Sequence, residues 1–524
     1  MNLKAQIRDL LNDIGPGRMA STAYDTAWVA RLIELEEPVG YQALEWLREN
    51  QLPDGSWGAS QPRYYHDRLI CTLAAMAALS RWGNQKDKSR IERARLSMDI
   101  AMKGLRADPV GETVGFEMIV PTLLAELKAS GVVQRYDDAN FLRMVYPNAK
   151  YRPKAIKKEE QSRRRDDEYF KRLVHNRAMK IKSLPEGQIN RHVTMAFSAE
   201  MVGTDRVQLL DLENIQEPNG SVGYSPSATA YFALYGLRGD LAALNYLREV
   251  AERNRVYYGG GIPNVAPFDT FERSWSLWNL LLAGIDDELN ELCEPHLDFI
   301  ARVWEPEIGV GFTSIYKPTN SDDTSMAFKT MSLSGRLLDI DAVLGYEEKD
   351  HFRCFELESN PSISANIHVL GALLEAGLDG SDPSVVKIVK FLRQTRVLDT
   401  FWTDKWHASP YYPTSQIILV VASFLDDMII DSVKWIIETQ NNDGSWGYYM
   451  PTAEETAYCL QSLFTWQRYV GEVPKETIDK GLEWLLEHNQ PPYPPLWIGK
   501  CLYNPELVVR SAVLSALMMG QKWI

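Results

Sequence analysis

One pattern of thirteen residues occurs near both ends of the chain. WLRENQLPDGSWG spans Trp46 to Gly58, and WIIETQNNDGSWG spans Trp435 to Gly447. The spacing of Trp, Gln, Gly and Trp is the same in both. Weaker copies run from Gln216 to Gly223, with Val222 in the Trp position, and from Trp484 to Trp497. Each copy reads as a helix, a glycine turn and a Trp packed back on the next helix. The Gln side chain is placed to bond free backbone groups at the turn. Repeats of this kind stack helix pairs into solenoids or close them into α/α barrels. Copies near both ends suggest two barrels. Apolar residues at helical spacing support an all-helical chain, as in Leu69, Ile70, Leu73, Met76, Ala77 and Leu79, or Val508, Val509, Ala512, Val513 and Leu517.

A length of 524 residues suits two or more domains. The net charge of -14 argues against nucleic acid as a partner. Lys150 to Lys182 opposes this balance, with thirteen Lys or Arg against five Asp or Glu. It reads either as a solvated helix face or as a segment whose end helps to hold a phosphate. The cysteines, Cys71, Cys293, Cys354, Cys459 and Cys501, are scattered, and no pair has metal-ligand spacing. Neither a signal peptide nor a run of 18 apolar residues is found, so a cytoplasmic protein without a membrane partner is expected. Fifteen Trp and 24 Tyr exceed what a core of this size needs. Such rings pack, and they can also line a pocket for a carbocation.

The densest polar cluster in an apolar setting is Thr319 to Phe328, TNSDDTSMAF. Asp322 and Asp323 stand before a helix expected to begin near Ser325. Two readings stay open. The carboxylates and Thr324 could cap the helix. Alternatively, burial and a like-charged neighbour could hold one carboxyl neutral and ready to protonate a very weak base. The Asp426, Asp427 and Asp431 group lies in an apolar helical stretch without a partner motif and reads as structural. His351, His368 and His407 are too dispersed for a zinc site.

Several segments occur in a telling order: YDTAWVA from Tyr24, the Gln51 to Gly58 turn, Pro263-Asn264-Val265, Asn320 to Phe328, Asp404-Lys405-Trp406, and Trp497-Ile498-Gly499-Lys500. Together they resemble the class II diterpene cyclases, particularly bacterial members without a third, ionising α domain. The match runs from about residue 20 to about residue 510. The resemblance implies an all-α fold of two α/α barrels, called β and γ, with the active site between them. It divides the chain into 1–20, a helix packing on the β domain; 21–205, the γ domain; and 206–524, the β domain with the acid motif.

The family's acid motif reads Asp-x-Asp-Asp, and its middle Asp donates the proton. That position is Asp322 here. The first position is Asn320, which can hold hydrogen bonds but cannot share charge; Asp323 is the third. His368 falls where the family hydrogen-bonds the acid. The substrate implied is geranylgeranyl diphosphate, cyclised to a bicyclic diphosphate for a downstream class I terpene synthase. Lys405 and Lys500, and more weakly Lys180, are implied as diphosphate anchors, with Phe197 and Trp275 lining the substrate. Mg²⁺ is implied as cofactor, with Asp108 and Glu112 in a degenerate acidic motif before Gly115-Phe116-Glu117. Plant relatives pair a His with the Asn of Pro-Asn-Val to position the water that takes the last proton. Asn264 is present, but Phe197 stands in the His position. A rearranged halimane or clerodane skeleton is therefore expected. The protein is expected as a monomer or homodimer.

Three rivals differ in testable ways. A drimenyl diphosphate synthase would take farnesyl diphosphate. A squalene-type cyclase would be longer, carry an apolar membrane-docking patch, and not need Lys405 and Lys500. A non-catalytic helical-repeat protein would have no use for the Asp322 cluster.

Overall fold

The computed structural model describes residues 2–133, 154–315, 318–356, 358 and 360–523. Helices dominate; the only strands among the described residues are Trp497–Ile498 and Leu502–Tyr503. The chain forms two compact units. One holds residues 1–20, 265–498 and 504–524, the other residues 21–264 and 499–503.

In the first unit, six helices form a closed ring: Asp269–Ala283, Ser321–Leu333, Ile363–Glu375, Tyr411–Val421, Ala453–Tyr469 and Glu506–Trp523. Each packs on the next, and the last packs on the first. An outer layer includes Leu3–Asp13, Asp287–Val303, Pro383–Thr395, Ile430–Glu438 and Lys475–Glu487. The sequence sorts the layers. Asp287–Val303 buries one stripe, Leu289, Cys293, Leu297 and Ile300, as an outer helix should. Ala453–Tyr469 is buried on every side from Ala453 to Thr465, as an inner helix should be. The N-terminal helix is tied here through Leu11, whose carbonyl lies 3.0 Å from His296 Nε2.

The second unit closes a smaller ring from Ala23–Ala30, Tyr65–Trp82, Phe116–Ala129, the 3₁₀ segment Thr194–Val202, and Pro226–Tyr231. The division drawn from the sequence at 205/206 is therefore displaced to 264/265. Pro226–Tyr231 is needed to close this ring, and Ile262 N donates 2.9 Å to Thr26 Oγ1. Arg248 also pairs with Glu37 at 2.7 Å. Residues 499–503 belong to the same unit: Leu502 N donates to Asp67 at 2.9 Å.

The repeats have one geometry. Gln51 donates to the carbonyls of Gly55 and Arg90 at 2.8 and 2.9 Å. Gln440 does the same to Gly444 and Thr477, both at 2.9 Å. Each Gln thus ties its turn to the next outer helix. The turn needs Gly because φ is +89° at Gly55 and +92° at Gly444. The Trp57 and Trp446 indoles donate back to Leu47 and Ile436 carbonyls at 2.8 and 2.7 Å, and both rings are fully buried. The backbone N–H of each Trp then finds a threonine on the next inner helix, Thr72 and Thr456, at 3.1 and 2.9 Å.

The sequence reading missed one partial copy and overstated another. Trp402 donates to the Leu392 carbonyl at 2.8 Å, and its N–H reaches Thr414 at 3.0 Å. It was hidden because Arg396 and Thr400 stand in the Gln and Gly positions of the pattern. Trp497 does not follow the pattern, since its indole donates to Glu454 at 2.8 Å rather than to a helix carbonyl. Trp446→Phe removes the indole's bond to the Ile436 carbonyl, leaving it only the longer contact from Thr439 Oγ1 at 3.3 Å, and is expected to cost about 1 kcal/mol, read as a lower melting temperature. An unchanged melting temperature would contradict this role.

Candidate active site

The helix that carries the acid motif begins at Ser321, four residues earlier than the sequence suggested. Asn320 is its cap: Oδ1 accepts from Asp323 N at 2.8 Å, and Nδ2 donates to Asp323 Oδ2 at 2.6 Å. The two aspartates therefore lie in the first turn rather than before it. Asp323 is buried, and burial pushes its carboxyl well above the usual carboxylate range, with the Asp322 charge adding to the rise. The side chain of Asp322 keeps 16% of its surface exposed.

Thr324 fixes this turn. Its Oγ1 accepts from Val310 N at 3.1 Å and bonds the Val310 carbonyl at 3.1 Å. This is the repeat's threonine contact with Val310 in the Trp position. Asp322 thus stands two residues before a scaffold threonine, which the sequence reading overlooked because the Gln and Trp of that copy are absent.

A chain of donors orients the Asp322 carboxyl. Trp275 Nε1 can only donate, and Tyr412 Oη accepts from it at 3.1 Å. The Tyr412 hydroxyl, which burial keeps protonated, then faces His368 Nε2 at 3.5 Å. With Nε2 accepting, the imidazole proton belongs on Nδ1, which lies 2.5 Å from Asp322 Oδ1. His368 thereby holds one oxygen of Asp322 and leaves Oδ2 for a proton. Aromatic rings crowd the same place. Trp275 meets His368 edge-on at 5.7 Å and stacks on Phe271 at 4.2 Å. Trp497 lies 5.0 Å from Tyr412 and 5.4 Å from Phe271. Such faces stabilise a nearby cation.

Lys405 is in the same unit. Its ammonium pairs with Glu358, donates to the Asn360 carbonyl at 2.6 Å and sits 4.9 Å over Trp406. Its side chain is 30% exposed, so one face remains open to an anion.

The other expected residues fall in the second unit. Lys500 is fully buried, and all three of its protons are used, on Glu200 Oε1, Ser225 Oγ and Ser227 Oγ at 2.7, 2.6 and 2.7 Å. Tyr24 also donates to Glu200 at 2.8 Å. The expectation that Lys500 anchors a diphosphate is thus revised: the ammonium serves a buried network, with the Phe197 ring 4.6 Å away. Asn264 donates to Asp25 at 2.8 Å and is buried. Lys180 pairs with Glu117 at an exposed position. Of the basic stretch, Lys150 and Arg152 lie outside the described residues. The rest belongs to the Lys154–Ser183 helix, whose side chains are described from Glu168 onward.

Comparison with known proteins gives this geometry its setting. Residues 356–494 match the squalene-hopene cyclase C-terminal domain. The chain is 42% identical over 512 residues to the type B diterpene cyclase of Mycobacterium tuberculosis, covering 96% of each. The chain belongs to the class II diterpene cyclases. The cyclase is also 28% identical to an ent-copalyl diphosphate synthase of Streptomyces sp., over 92% of this chain and 88% of that one. Its fold superposes on ent-copalyl diphosphate synthase from Streptomyces platensis with a TM-score of 0.75, at 27% identity and 99% coverage of both. As in that fold, the cyclase is all-α, built from α/α barrels.

Of the two expected metal ligands of the cyclase, Asp108 does not fit a cation, whereas Glu112 is exposed. Asp108 Oδ1 accepts from Tyr65 N at 3.0 Å, and Oδ2 accepts from His66 N at 2.9 Å and lies 2.6 Å from His66 Nδ1. Both oxygens thus start the Tyr65–Trp82 helix and hold its first histidine. Glu112 accepts from Tyr169 Oη at 2.7 Å. A Mg²⁺ ion wants near-octahedral oxygen with retained waters, which a buried carboxylate already holding three donors does not offer. Among the described residues, the one close group of potential ligands is Asp67, Cys71 and Cys501, whose buried thiols do not suit Mg²⁺. Asp108→Ala is expected to lower the melting temperature by the loss of charge-assisted bonds worth about 1.5–3 kcal/mol. The Mg²⁺ concentration for half-maximal activity should stay unchanged. A rise in that concentration with intact stability would return Asp108 to the metal.

Proposed function

We propose that the cyclase protonates geranylgeranyl diphosphate at its terminal alkene and closes two rings without breaking the bond to the diphosphate. The observation that carries this reading is Asp322, held at 2.5 Å by His368 Nδ1 among Trp275, Tyr412, Phe271 and Trp497. An alkene is a poor base, so the donor must be a neutral carboxyl, oriented and shielded. His368 occupies Oδ1, so the proton is given from Oδ2. As Asp322 becomes a carboxylate, the His368 N–H stabilises the charge. The tertiary cation passes to the ring carbons and is stabilised by the aromatic faces. Loss of a proton elsewhere returns the net charge, and the product is an isomer of the substrate.

The substrate's diphosphate remains attached and needs a cation. Lys405, with its exposed face, is the residue assigned to it. Mg²⁺ would neutralise part of the diphosphate's charge, and the exposed Glu112, rather than the buried Asp108, is the residue that would help to hold it. With Phe197 where plant relatives place a His base, we assign a rearranged halimane or clerodane skeleton. A product that keeps its diphosphate suits a class I terpene synthase as the next enzyme. No helix among the described residues is long and apolar enough to cross a membrane. The five buried, unpaired cysteines fit our assignment to the cytoplasm.

The test is incubation with C20 and C15 prenyl diphosphates, then phosphatase treatment and NMR of the alcohols. A bicyclic C20 alcohol supports the reading. Turnover of the C15 substrate alone, or release of diphosphate before phosphatase, would overturn it.

A further inference from the structure

The Ala453–Tyr469 helix opens on two buried glutamates with different partners. Glu455 closes the cap. Its Oε2 accepts from Thr452 Oγ1 at 2.7 Å, its Oε1 from Tyr448 N at 2.8 Å and Ser409 Oγ at 2.5 Å, and its own N–H donates to Thr452 Oγ1 at 3.1 Å. Glu454 takes no part in the cap. Three donors converge on its Oε1: the Trp497 indole at 2.8 Å, the Tyr458 hydroxyl at 3.1 Å and His407 Nε2 at 3.2 Å. His407 Nδ1 accepts from Ser409 N at 3.1 Å, closer than the Ser409 carbonyl at 3.3 Å, so the proton of the neutral ring belongs on Nε2. Glu454 Oε2 is buried and meets no donor among the described residues, and no lysine or arginine there lies within ion-pair distance of it. A glutamine would offer the same acceptor to the three donors without burying a charge. Hydrogen bonding alone therefore does not account for a glutamate here.

The rings that Glu454 holds belong to the aromatic wall beside the acid. Trp497 lies 5.0 Å from Tyr412 and 5.4 Å from Phe271, His407 stacks on Tyr412 at 4.8 Å, and Tyr458 lies 5.2 Å from Tyr412. Tyr412 in turn faces His368, which holds Asp322. We propose that Glu454 is a positioning residue for the carbocation: it fixes the Trp497 and Tyr458 rings, and its buried negative charge enriches the Trp497 face that the cation meets. The inference rests on the assignment of Asp322 as the acid. An indole N–H bonded to a carboxylate is polarised, and its ring gains electron density. A more electron-rich face attracts a cation more strongly. Where water is excluded, the carboxylate also attracts the cation directly, with little screening. Both effects grow as the charge develops, so they favour the transition state over the neutral substrate.

Other carboxyls on the elements around this wall are already engaged. Asp404 starts the Ile363–Glu375 helix, with Oδ1 accepting from Ile363 N and Ser364 N at 2.8 and 3.1 Å, and Oδ2 from Ser364 Oγ and Trp406 N at 2.7 and 3.1 Å. Glu358 pairs with Lys405. Asp323 is bonded to Asn320 at 2.6 Å. Glu272 accepts from the backbone of Gly15 and Arg18 at 3.1 and 2.7 Å. Glu454 differs from these in keeping one oxygen free of donors while the other holds the aromatic wall.

The probes are two unreactive prenyl diphosphate analogues, one saturated at its alkenes and one with a protonated amine in place of a ring-forming carbon. Both are titrated on Asp322→Asn protein, in which the acid's own carboxylate cannot bind the amine. Adding Glu454→Gln should weaken the amine analogue about tenfold and change the saturated one by less than about twofold. Glu454→Asp, which keeps the charge, should lose less. Trp497→Phe keeps a ring and removes the N–H, and should weaken the amine analogue selectively; it decides the question if Glu454→Gln does not fold. With Asp322 in place, Glu454→Gln should lower kcat about tenfold with KM little changed. A merely structural glutamate would weaken both analogues alike, or neither, and lower only the melting temperature; that result overturns the proposal. An active Asp322→Asn would overturn the assignment of the acid itself. An inactive Asp322→Asn with no selective loss in Glu454→Gln would overturn only the role of Glu454.

Discussion

Asp322→Ala is expected to lower turnover at least about 10³-fold while leaving the melting temperature within a few degrees of the native value. The size follows from the chemistry: without Asp322 the remaining carboxyl of this turn, Asp323, is tied to Asn320, and His368 has no acid to orient. The small structural cost follows from the contacts. Asp322 bonds one side chain and keeps 16% exposure, whereas the cap of the helix is made by Asn320 and Asp323. Asp322→Asn is the stricter form, since it keeps the bond from His368 and removes only the acidic proton. Gas chromatography of the dephosphorylated product checks both. Retention of a tenth of native turnover in either variant would place the acid elsewhere.

Lys500→Ala is expected to act on stability more than on binding. It removes an ammonium that is fully buried between Glu200, Ser225 and Ser227 and leaves the Glu200 carboxylate uncompensated. Breaking a buried pair from one side costs about 3–5 kcal/mol, large enough to appear as a fall of many degrees in the melting temperature. KM of the molecules that remain folded should change little. A diphosphate anchor would behave in the opposite way, with KM raised and the melting temperature intact. Melting curves and KM measured on one preparation separate the two.

The contrast between these residues shows what could be read from the chain. The turn chemistry of Gln51 to Trp57 and Gln440 to Trp446 was legible because each residue type has a local mechanical reason to be there. The copy at Trp402 was not, because Arg396 and Thr400 replace the Gln and Gly by which the pattern is recognised. Asp322 and His368 were legible only through the resemblance. Taken alone, an aspartate pair beside a helix start reads as a cap, and the cap proved to be Asn320. The setting of Lys500 was invisible, since Glu200, Ser225 and Ser227 lie some 270 to 300 residues away in the chain. The same distance effect misled the metal assignment: Asp108 looked like a ligand until its bonds to Tyr65 and His66 were seen. The boundary at 264/265 was likewise hidden, because helical periodicity does not say which ring an inner helix completes.

The central claim is that the reaction begins with a proton from the enzyme and keeps the diphosphate. It is tested most directly by turnover of geranylgeranyl diphosphate in D₂O. Protonation at the terminal alkene predicts a cyclic diphosphate one mass unit heavier, with a single deuterium on the carbon that accepted the proton and no free inorganic diphosphate. An unlabelled hydrocarbon with stoichiometric release of inorganic diphosphate would contradict it.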